Sequence, residues 1–146
     1  MKPEKSRTAA NTVAQFASPP CPCGGGRAYD ACCGELHRAF AETGALTAPD
    51  AQALMRSRYT AYTMDLIPYL LASWHPSTRP ASLERGEREL KWLSLDVRRH
   101  VRQDADHELV EFVARSKVGG RAQRLHEISR FVREGGAWLY VDGEMD

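Results

Sequence analysis

The sequence predicts an α+β fold in which a small cysteine-rich knuckle precedes helices packed on one face of a curved antiparallel sheet. Three observations predict this fold. Four cysteines lie within thirteen residues near the N-terminus, apolar residues at helical spacing follow, and apolar and polar residues alternate from Glu89 onward. Helices that precede a run of hairpin-linked strands are typical of the α+β class.

Composition limits the classes of function. The chain has 146 residues, 42% of them hydrophobic, which is enough for a buried core. Its formal net charge is +1, which argues against nucleic acid as a partner and against an anionic membrane. The longest apolar run, near residues 66–72, is interrupted by Pro68 and is too short to span a bilayer, and no segment resembles a signal peptide. We therefore expect a cytoplasmic protein.

The chain divides into four predicted segments. Residues 1–18 carry few large apolar side chains and are predicted to form a flexible arm. A knuckle is predicted over residues 19–40, a connector over 41–48 and an α+β domain over 49–146. We expect the last segment to fold without the knuckle, because its helices and strands are able to bury a core of their own.

Three helices are predicted in the first half of the α+β domain. Thr47 is the expected cap of a helix that ends near Thr63, and Asp65 is the expected cap of the second. A short third helix is predicted over residues 82–88. The inward-facing residues predicted for the first two helices are Ala51, Leu54, Met55, Arg58, Tyr59 and Tyr62, then Leu66, Tyr69, Leu70 and Trp74. Arg58 is expected to pair with an acid or to cover apolar surface.

Alternation predicts an antiparallel meander in the second half. The first strand is predicted to place Leu93, Leu95 and Val97 on one face, and the second to place Val110, Phe112 and Ala114 on one face. Turns are predicted at residues 104–106, 119–120 and 135–136, from their Asp and Gly residues.

The cysteines predict a zinc site. Cys21, Cys23, Cys32 and Cys33 supply four thiolates, the number that a tetrahedral zinc ion takes. Thiols stay reduced in the cytoplasm, and a disulfide between the adjacent residues Cys32 and Cys33 would be strained. We therefore expect one structural Zn²⁺ rather than disulfides.

These residues also carry a family resemblance. Residues 21–34, Cys-Pro-Cys-Gly-Gly-Gly-Arg-Ala-Tyr-Asp-Ala-Cys-Cys-Gly, resemble the SEC-C motif, the zinc knuckle at the C-terminus of the SecA translocation motor. The usual motif has Ser at Gly25 and Lys at Arg27, and SecA has histidine at the position of Cys33. A site with three cysteines and His37 is therefore the alternative ligand set. The resemblance implies a structural zinc ion and a docking site for a protein partner.

The resemblance continues through most of the chain, over about residues 19–143. Ala53-Leu-Met-Arg-Ser-Arg-Tyr-Thr-Ala-Tyr, Tyr69-Leu-Leu-Ala-Ser-Trp-His-Pro-Ser-Thr-Arg-Pro, Glu127-Ile-Ser-Arg-Phe-Val-Arg and Trp138-Leu-Tyr-Val-Asp-Gly resemble the YchJ-like family of uncharacterised bacterial proteins. This resemblance implies a nuclear transport factor 2-like (NTF2-like, cystatin-like) fold. In that fold, helices close over a curved sheet to form a cone that often contains a pocket.

The residues offered to such a pocket are polar or aromatic. The candidates are Trp74, His75, Arg79, Glu127, Ser129, Arg130, Trp138, Tyr140 and Asp142. Alternation predicts that Trp138, Tyr140 and Asp142 share one face. His75 with Glu127 or Asp142 would be the leading catalytic pair, since a histidine beside a carboxylate can act as a general base. The sequence contains no nucleophile elbow, phosphate loop or metal-hydrolase signature.

Three functions from different classes remain open. The favoured one is a noncatalytic adaptor whose knuckle docks on a protein partner and whose cone binds a ligand or peptide. The second is an enzyme or small-molecule carrier that uses the pocket near His75. The third is an RNA- or ribosome-associated factor, for which a stripe of basic residues is the candidate surface. The stripe consists of Arg98, Arg99, His100, Arg121, Arg124, Arg130 and Arg133.

Overall fold

A computed structural model describes residues 18–145 of the chain. The predicted arm at residues 1–18 lies outside the described residues, apart from Ser18. The fold is α+β, as predicted, with three α-helices before a four-stranded antiparallel sheet of order β1-β2-β3-β4. The elements are α1 (Cys33–Thr43), α2 (Ala51–Thr63), α3 (Ile67–Ala72), β1 (Leu90–Asp104), β2 (His107–Val118), β3 (Arg121–Glu134) and β4 (Ala137–Met145). None of the helices within residues 18–145 is long and apolar enough to cross a membrane.

The cap of helix α2 lies three residues after the predicted one. The carboxylate of Asp50, not the Thr47 hydroxyl, accepts a hydrogen bond from the backbone N–H of Ala53 at 2.8 Å. Asp50 lies directly before the helix in extended conformation, which is the geometry an N-cap needs. The predicted inward side is buried at Ala51, Leu54, Met55, Arg58 and Tyr59.

The segment after α2 differs more from the prediction. Asp65 has a positive φ of 54° and does not cap α3; its carboxylate instead accepts from the backbone N–H of Gly86 at 3.0 Å. No helix forms over residues 82–88. Leu83 is the only large apolar residue there, so a helix would have no apolar face to pack against the domain.

Two bulges change which side chains face the helices. Trp92 pairs with Ser116 and Ser94 with Arg115, so Leu93 is the extra residue and is 52% exposed, contrary to the prediction. In β4 an irregularity between the pairs Arg130–Asp142 and Phe131–Tyr140 makes Val141 the extra residue. The prediction that Asp142 shares a face with Tyr140 is therefore wrong. The three predicted turns and the buried face of Val110, Phe112 and Ala114 are confirmed.

The knuckle and the domain share one hydrophobic core. Cys21, Cys23 and Cys33 belong to the same buried cluster as residues of α2 and of all four strands. Helix α2 contacts β1, β2 and β4 on one side and α1 on another. The main buried cluster of the α+β domain therefore includes cysteines of the knuckle.

Glu108 connects the sheet to the start of α2. Its side chain is 1% exposed and accepts hydrogen bonds from the backbone N–H of Ala51 (3.0 Å), from His100 (2.7 Å) and from Arg102 (3.3 Å). Burial alone would raise the pKa of Glu108, but the hydrogen bonds from His100 and Ala51 outweigh it and hold this pKa below its usual value.

We expect Glu108→Gln to lower the free energy of unfolding by about 2 kcal/mol at pH 7, because an amide cannot accept from all three donors. Only the ionised carboxylate of Glu108 provides this stabilisation. It is complete above the unfolded pKa of about 4.3 and is lost as the pH falls through the lower folded pKa. Urea unfolding of both proteins between pH 7 and pH 3 should therefore show a shrinking difference. A constant difference would contradict the ionic role, and the exposed Glu144→Gln is the control.

Candidate functional site

The four cysteines form a compact sulfur cluster at the base of α2. Their Sγ atoms all lie within 4.8 Å of one another, and Cys23 Sγ is 3.5 Å from Cys32 Sγ. Zinc–sulfur bonds of about 2.3 Å in a tetrahedron place the sulfurs about 3.8 Å apart. The spacing and the chemistry of this donor set therefore fit one four-coordinate metal ion.

The loop before the cluster holds the sulfurs together. Cys21 N–H donates to the carbonyl of Arg27 at 2.9 Å, and Gly24 N–H donates to the carbonyl of Cys21 at 3.2 Å. The chain turns at Gly24 and Gly26, where φ is 76° and 88°, values that glycine adopts without strain. The glycine run of the sequence thus brings Cys21 and Cys23 back towards Cys32 and Cys33.

The cluster is attached to α2 by polar contacts as well as by packing. The Thr60 hydroxyl lies 3.4 Å from Cys33 Sγ and 3.7 Å from Cys21 Sγ. Arg56 donates from Nη1 to the carbonyl of Cys23 at 2.7 Å. Hydroxyl donors to thiolate sulfur stabilise its negative charge, which is a common outer-shell role at metal sites.

His37 is occupied by other partners. Its Nε2 lies 2.9 Å from the carbonyl of Ser57 and its Nδ1 lies 2.7 Å from the Tyr29 hydroxyl. Burial lowers the pKa of His37, which favours the neutral ring. The group of metal-ligating side chains found within residues 18–145 comprises the four cysteines without this histidine.

The packed thiols do not titrate alike. Hydrogen bonding from the Cys33 thiol lowers the pKa of Cys23 to about 4, whereas that bond and burial raise the pKa of Cys33. The Cys23 thiolate is thus stabilised, while ionisation of Cys33 is disfavoured. A divalent metal ion would remove this conflict by replacing the protons.

A second candidate site is a cavity between α2 and the inner face of the sheet. Its volume is about 320 Å³. Most of the wall is aromatic or aliphatic, and Tyr62 and Met145, which are 36% and 64% exposed, lie on its rim. The lining residues are Met55, Arg58, Tyr59, Tyr62, Trp74, Trp92, Phe112, Ala114, Leu125, Glu127, Ser129, Phe131, Tyr140 and Met145.

One buried carboxylate faces this cavity. Glu127 is 6% exposed, and its Oε2 accepts from the Ser129 hydroxyl at 2.5 Å and from the Tyr140 hydroxyl at 3.1 Å. Burial, and then the negative charge of Glu127, raise the pKa of Tyr140. The Tyr140 hydroxyl therefore stays a donor to this carboxylate across the physiological range.

One buried cation faces the same cavity. The Arg58 guanidinium packs against the rings of both Trp74 and Tyr140, with Cζ 5.0 Å and 4.7 Å from their centroids. Its Nη1 donates to the carbonyl of Leu70 at 2.8 Å and to the Ser73 hydroxyl at 2.6 Å. Burial lowers the pKa of Arg58, and arginine side chains stay protonated in proteins.

The predicted pocket residues separate into two groups. Trp74, Glu127, Ser129 and Tyr140 line the cavity. The others lie outside the cavity. His75 pairs with Glu134 (3.0 Å) and Asp142 pairs with Arg130 (2.6 Å). Arg79 donates to the carbonyl of Trp74, and Trp138 is buried in the shared core. The structure therefore brings His75 together with neither Glu127 nor Asp142.

The basic stripe carries alternating charge in the structure. Arg98, Arg99, Arg130 and Arg133 each lie within 3.1 Å of an acidic oxygen, belonging to Asp96, Glu111, Asp142 and Asp106 respectively. His100 contacts Glu108.

Sequence reasoning overlooked the cavity residues of α2. Of the two roles predicted for Arg58, pairing with an acid is not found within residues 18–145, whereas covering apolar surface is, since the guanidinium packs against Trp74 and Tyr140. The sequence indicates the buried position of Arg58, because this residue lies on the apolar side of the helix with Met55, Tyr59 and Tyr62. An arginine inside an apolar stripe indicates a buried charge with a specific task.

Comparisons with known proteins agree with this architecture. The family model described as "YchJ, middle NTF2-like domain" matches residues 50–143. A UPF0225 protein of Bordetella pertussis is 53% identical over 127 residues, covering 86% of this chain and 92% of the relative. A UPF0225 protein of Methylibium petroleiphilum is 56% identical over 133 residues, covering 91% and 93%.

Two solved structures share the fold. A SEC-C motif containing protein from Rhodopseudomonas palustris superposes with a TM-score of 0.73 at 33% identity, covering 85% of this chain and 96% of that one. A SEC-C motif containing protein from Psychrobacter arcticus gives a TM-score of 0.71 at 26% identity, covering 86% and 82%. The chain therefore belongs to the YchJ-like UPF0225 family and joins a SEC-C cysteine cluster to an NTF2-like domain.

Proposed function

We propose that this protein is a noncatalytic ligand-binding protein whose NTF2-like cavity takes a small, mostly apolar molecule and whose SEC-C knuckle holds one structural Zn²⁺. The observation that carries the proposal is the cavity itself. It has the size and apolar wall of a small-molecule site, and Arg58 and Glu127 place two opposite charges inside it.

The zinc part of the proposal rests on the donor set. Four thiolates in a tetrahedral arrangement suit Zn²⁺, and four protein ligands leave no open position for a substrate. In this role Cys21, Cys23, Cys32 and Cys33 hold the ion while the Thr60 hydroxyl donates to Cys33 Sγ and lies 3.7 Å from Cys21 Sγ. The ion would cross-link Cys21 and Cys23 to Cys32 and Cys33 within the knuckle.

Cavity binding is tested with a simple apolar probe, 2-ethylnaphthalene. Titration of ¹⁵N-labelled protein should shift amide signals of lining residues such as Ala114 and Phe131 and leave those of the distant hairpin at Ala105 unchanged. Ala114→Leu, which fills part of the cavity, should weaken binding at least tenfold, while Ala105→Leu serves as control. Equal binding by Ala114→Leu and wild type would contradict the proposal.

The exposed side of the knuckle supports a second role, as a docking site for a protein partner. Pro22, Gly24, Gly25 and Gly26 are exposed, while Cys21, Cys23 and Cys33 on the other side are buried. In a pull-down from lysate, Pro22→Glu should lose a protein that wild type retains, whereas Ala105→Glu should retain it. Identical proteins bound by both variants and wild type would contradict docking at this face.

A further inference from the structure

We infer that the cavity ligand is an uncharged ring compound that carries a hydrogen-bond acceptor for Arg58 and a hydrogen-bond donor for Glu127. The inference rests on the proposed function and specifies its ligand class. It follows from the polar atoms that line the cavity and still lack partners, together with the charge that the cavity contains.

Some N–H groups of Arg58 have no hydrogen-bond acceptor among the described residues. Nη1 makes both of the guanidinium's hydrogen bonds, to Leu70 and Ser73, and these hold the group in place against two rings. Nε and Nη2 have no acceptor among residues 18–145, although the side chain is only 5% exposed and lines the cavity. Within residues 18–145 only Trp74 Nε1 is both buried and unpartnered, so Nε and Nη2 of Arg58 open onto the cavity, where a ligand oxygen or ring nitrogen can accept from them.

One carboxylate oxygen of Glu127 accepts no hydrogen bond from the described residues. Ser129 and Tyr140 both donate to Oε2, while Oε1 has no donor among the described residues. The two hydroxyls fix the carboxylate, so Oε1 is a preorganised acceptor for a hydroxyl or N–H of the ligand. Tyr140 contacts both charged groups. Its ring packs against Arg58, which would donate to the ligand, and its hydroxyl donates to Glu127, which would accept from the ligand.

The charges of the site select an uncharged ligand. Arg58 and Glu127 contribute one positive and one negative charge, and the remaining lining residues are uncharged. A ligand carboxylate or ammonium would leave one charge without a counterpart inside an apolar wall, which is costly. The cavity of about 320 Å³ is about twice the ~150 Å³ that holds benzene, so a two-ring molecule fits between the aromatic walls.

A matched series of naphthalenes tests the inference on the wild-type protein. 6-Acetyl-2-naphthol offers an acceptor and a donor, 2-acetylnaphthalene only the acceptor, 2-naphthol only the donor and 2-ethylnaphthalene neither. Calorimetric titration should rank 6-acetyl-2-naphthol first, with each lost polar group weakening binding about tenfold. The anion 6-hydroxy-2-naphthoate should bind at least tenfold more weakly than 6-acetyl-2-naphthol.

Glu127→Gln isolates the donor contact, because it places an amide N–H₂ where Oε1 stood. This variant should bind 6-acetyl-2-naphthol about tenfold more weakly and 2-acetylnaphthalene within twofold of wild type. If the variant does not fold, the wild-type series still decides the question.

Three outcomes would overturn the inference, and they differ in whether the proposed function of the cavity is also overturned. Equal affinity for 2-ethylnaphthalene and 6-acetyl-2-naphthol would remove the polar selection but leave the cavity as an apolar binding site. Tighter binding of 6-hydroxy-2-naphthoate would overturn the uncharged ligand. Binding of none of the five compounds would overturn the inference together with the proposed function.

Discussion

Removal of the metal ion, or Cys23→Ser, is expected to lower the free energy of unfolding of the described domain by about 4 kcal/mol or more. Cys23 is 0% exposed and belongs to the same core cluster as Leu54, Tyr59 and Phe112. Metal binding to a site that exists only in the folded chain contributes directly to stability. Without the ion, four clustered thiols, three of them buried, compete for protons beside α2, and the knuckle loses its cross-link.

The measurement is urea unfolding of the zinc-loaded protein, of the same protein after chelation, and of Cys23→Ser. Thr60→Val is the matched control, because it removes a hydroxyl beside two sulfurs without removing a ligand. It should cost about 1 kcal/mol. A loss below 1 kcal/mol for Cys23→Ser would show that the knuckle contributes little to the domain.

The second large effect is expected at Gly143, which lies against the Glu127 carboxylate. A Cβ at this position would lie 2.6 Å from Cδ and 2.7 Å from Cγ of Glu127. The carboxylate cannot move aside freely because Ser129 and Tyr140 hold it. We expect Gly143→Ala to lower the free energy of unfolding by about 2–3 kcal/mol, through overpacking.

The origin of this effect is steric, since Gly143 is not among the described glycines with positive φ. Gly143→Ala should therefore cost less than 1 kcal/mol in a Glu127→Ala background, where the space is free. Gly86→Ala is the control, because its nearest neighbour is the flexible end of Leu90, 3.1 Å away. The same cost in both backgrounds, measured by thermal unfolding, would rule out the contact with Glu127 as the cause.

The parts of the fold that depend on local sequence were predictable. Three hairpin turns follow from their Asp and Gly residues, and the buried side of α2 follows from its periodicity. The cysteine spacing likewise points to a cluster, because only a short glycine-rich loop separates its two halves.

The remaining features depend on partners distant in the chain. Bulges at Leu93 and Val141 are set by pairing with the neighbouring strands, and alternation within a single strand cannot reveal them. They turn Leu93 outward and separate Asp142 from Tyr140, so the predicted polar face was only partly assembled. The place of Arg58 in the cavity depends on Trp74 and Tyr140, which follow it by 16 and 82 positions.

The central claim is that four thiolates hold one zinc ion within the knuckle, which packs against the helix forming one wall of the cavity. X-ray absorption at the zinc edge of the purified protein tests it most directly, together with elemental analysis. We predict one zinc per chain in a shell of four sulfurs at about 2.3 Å. A nitrogen ligand in that shell, or purified protein without zinc, would contradict it.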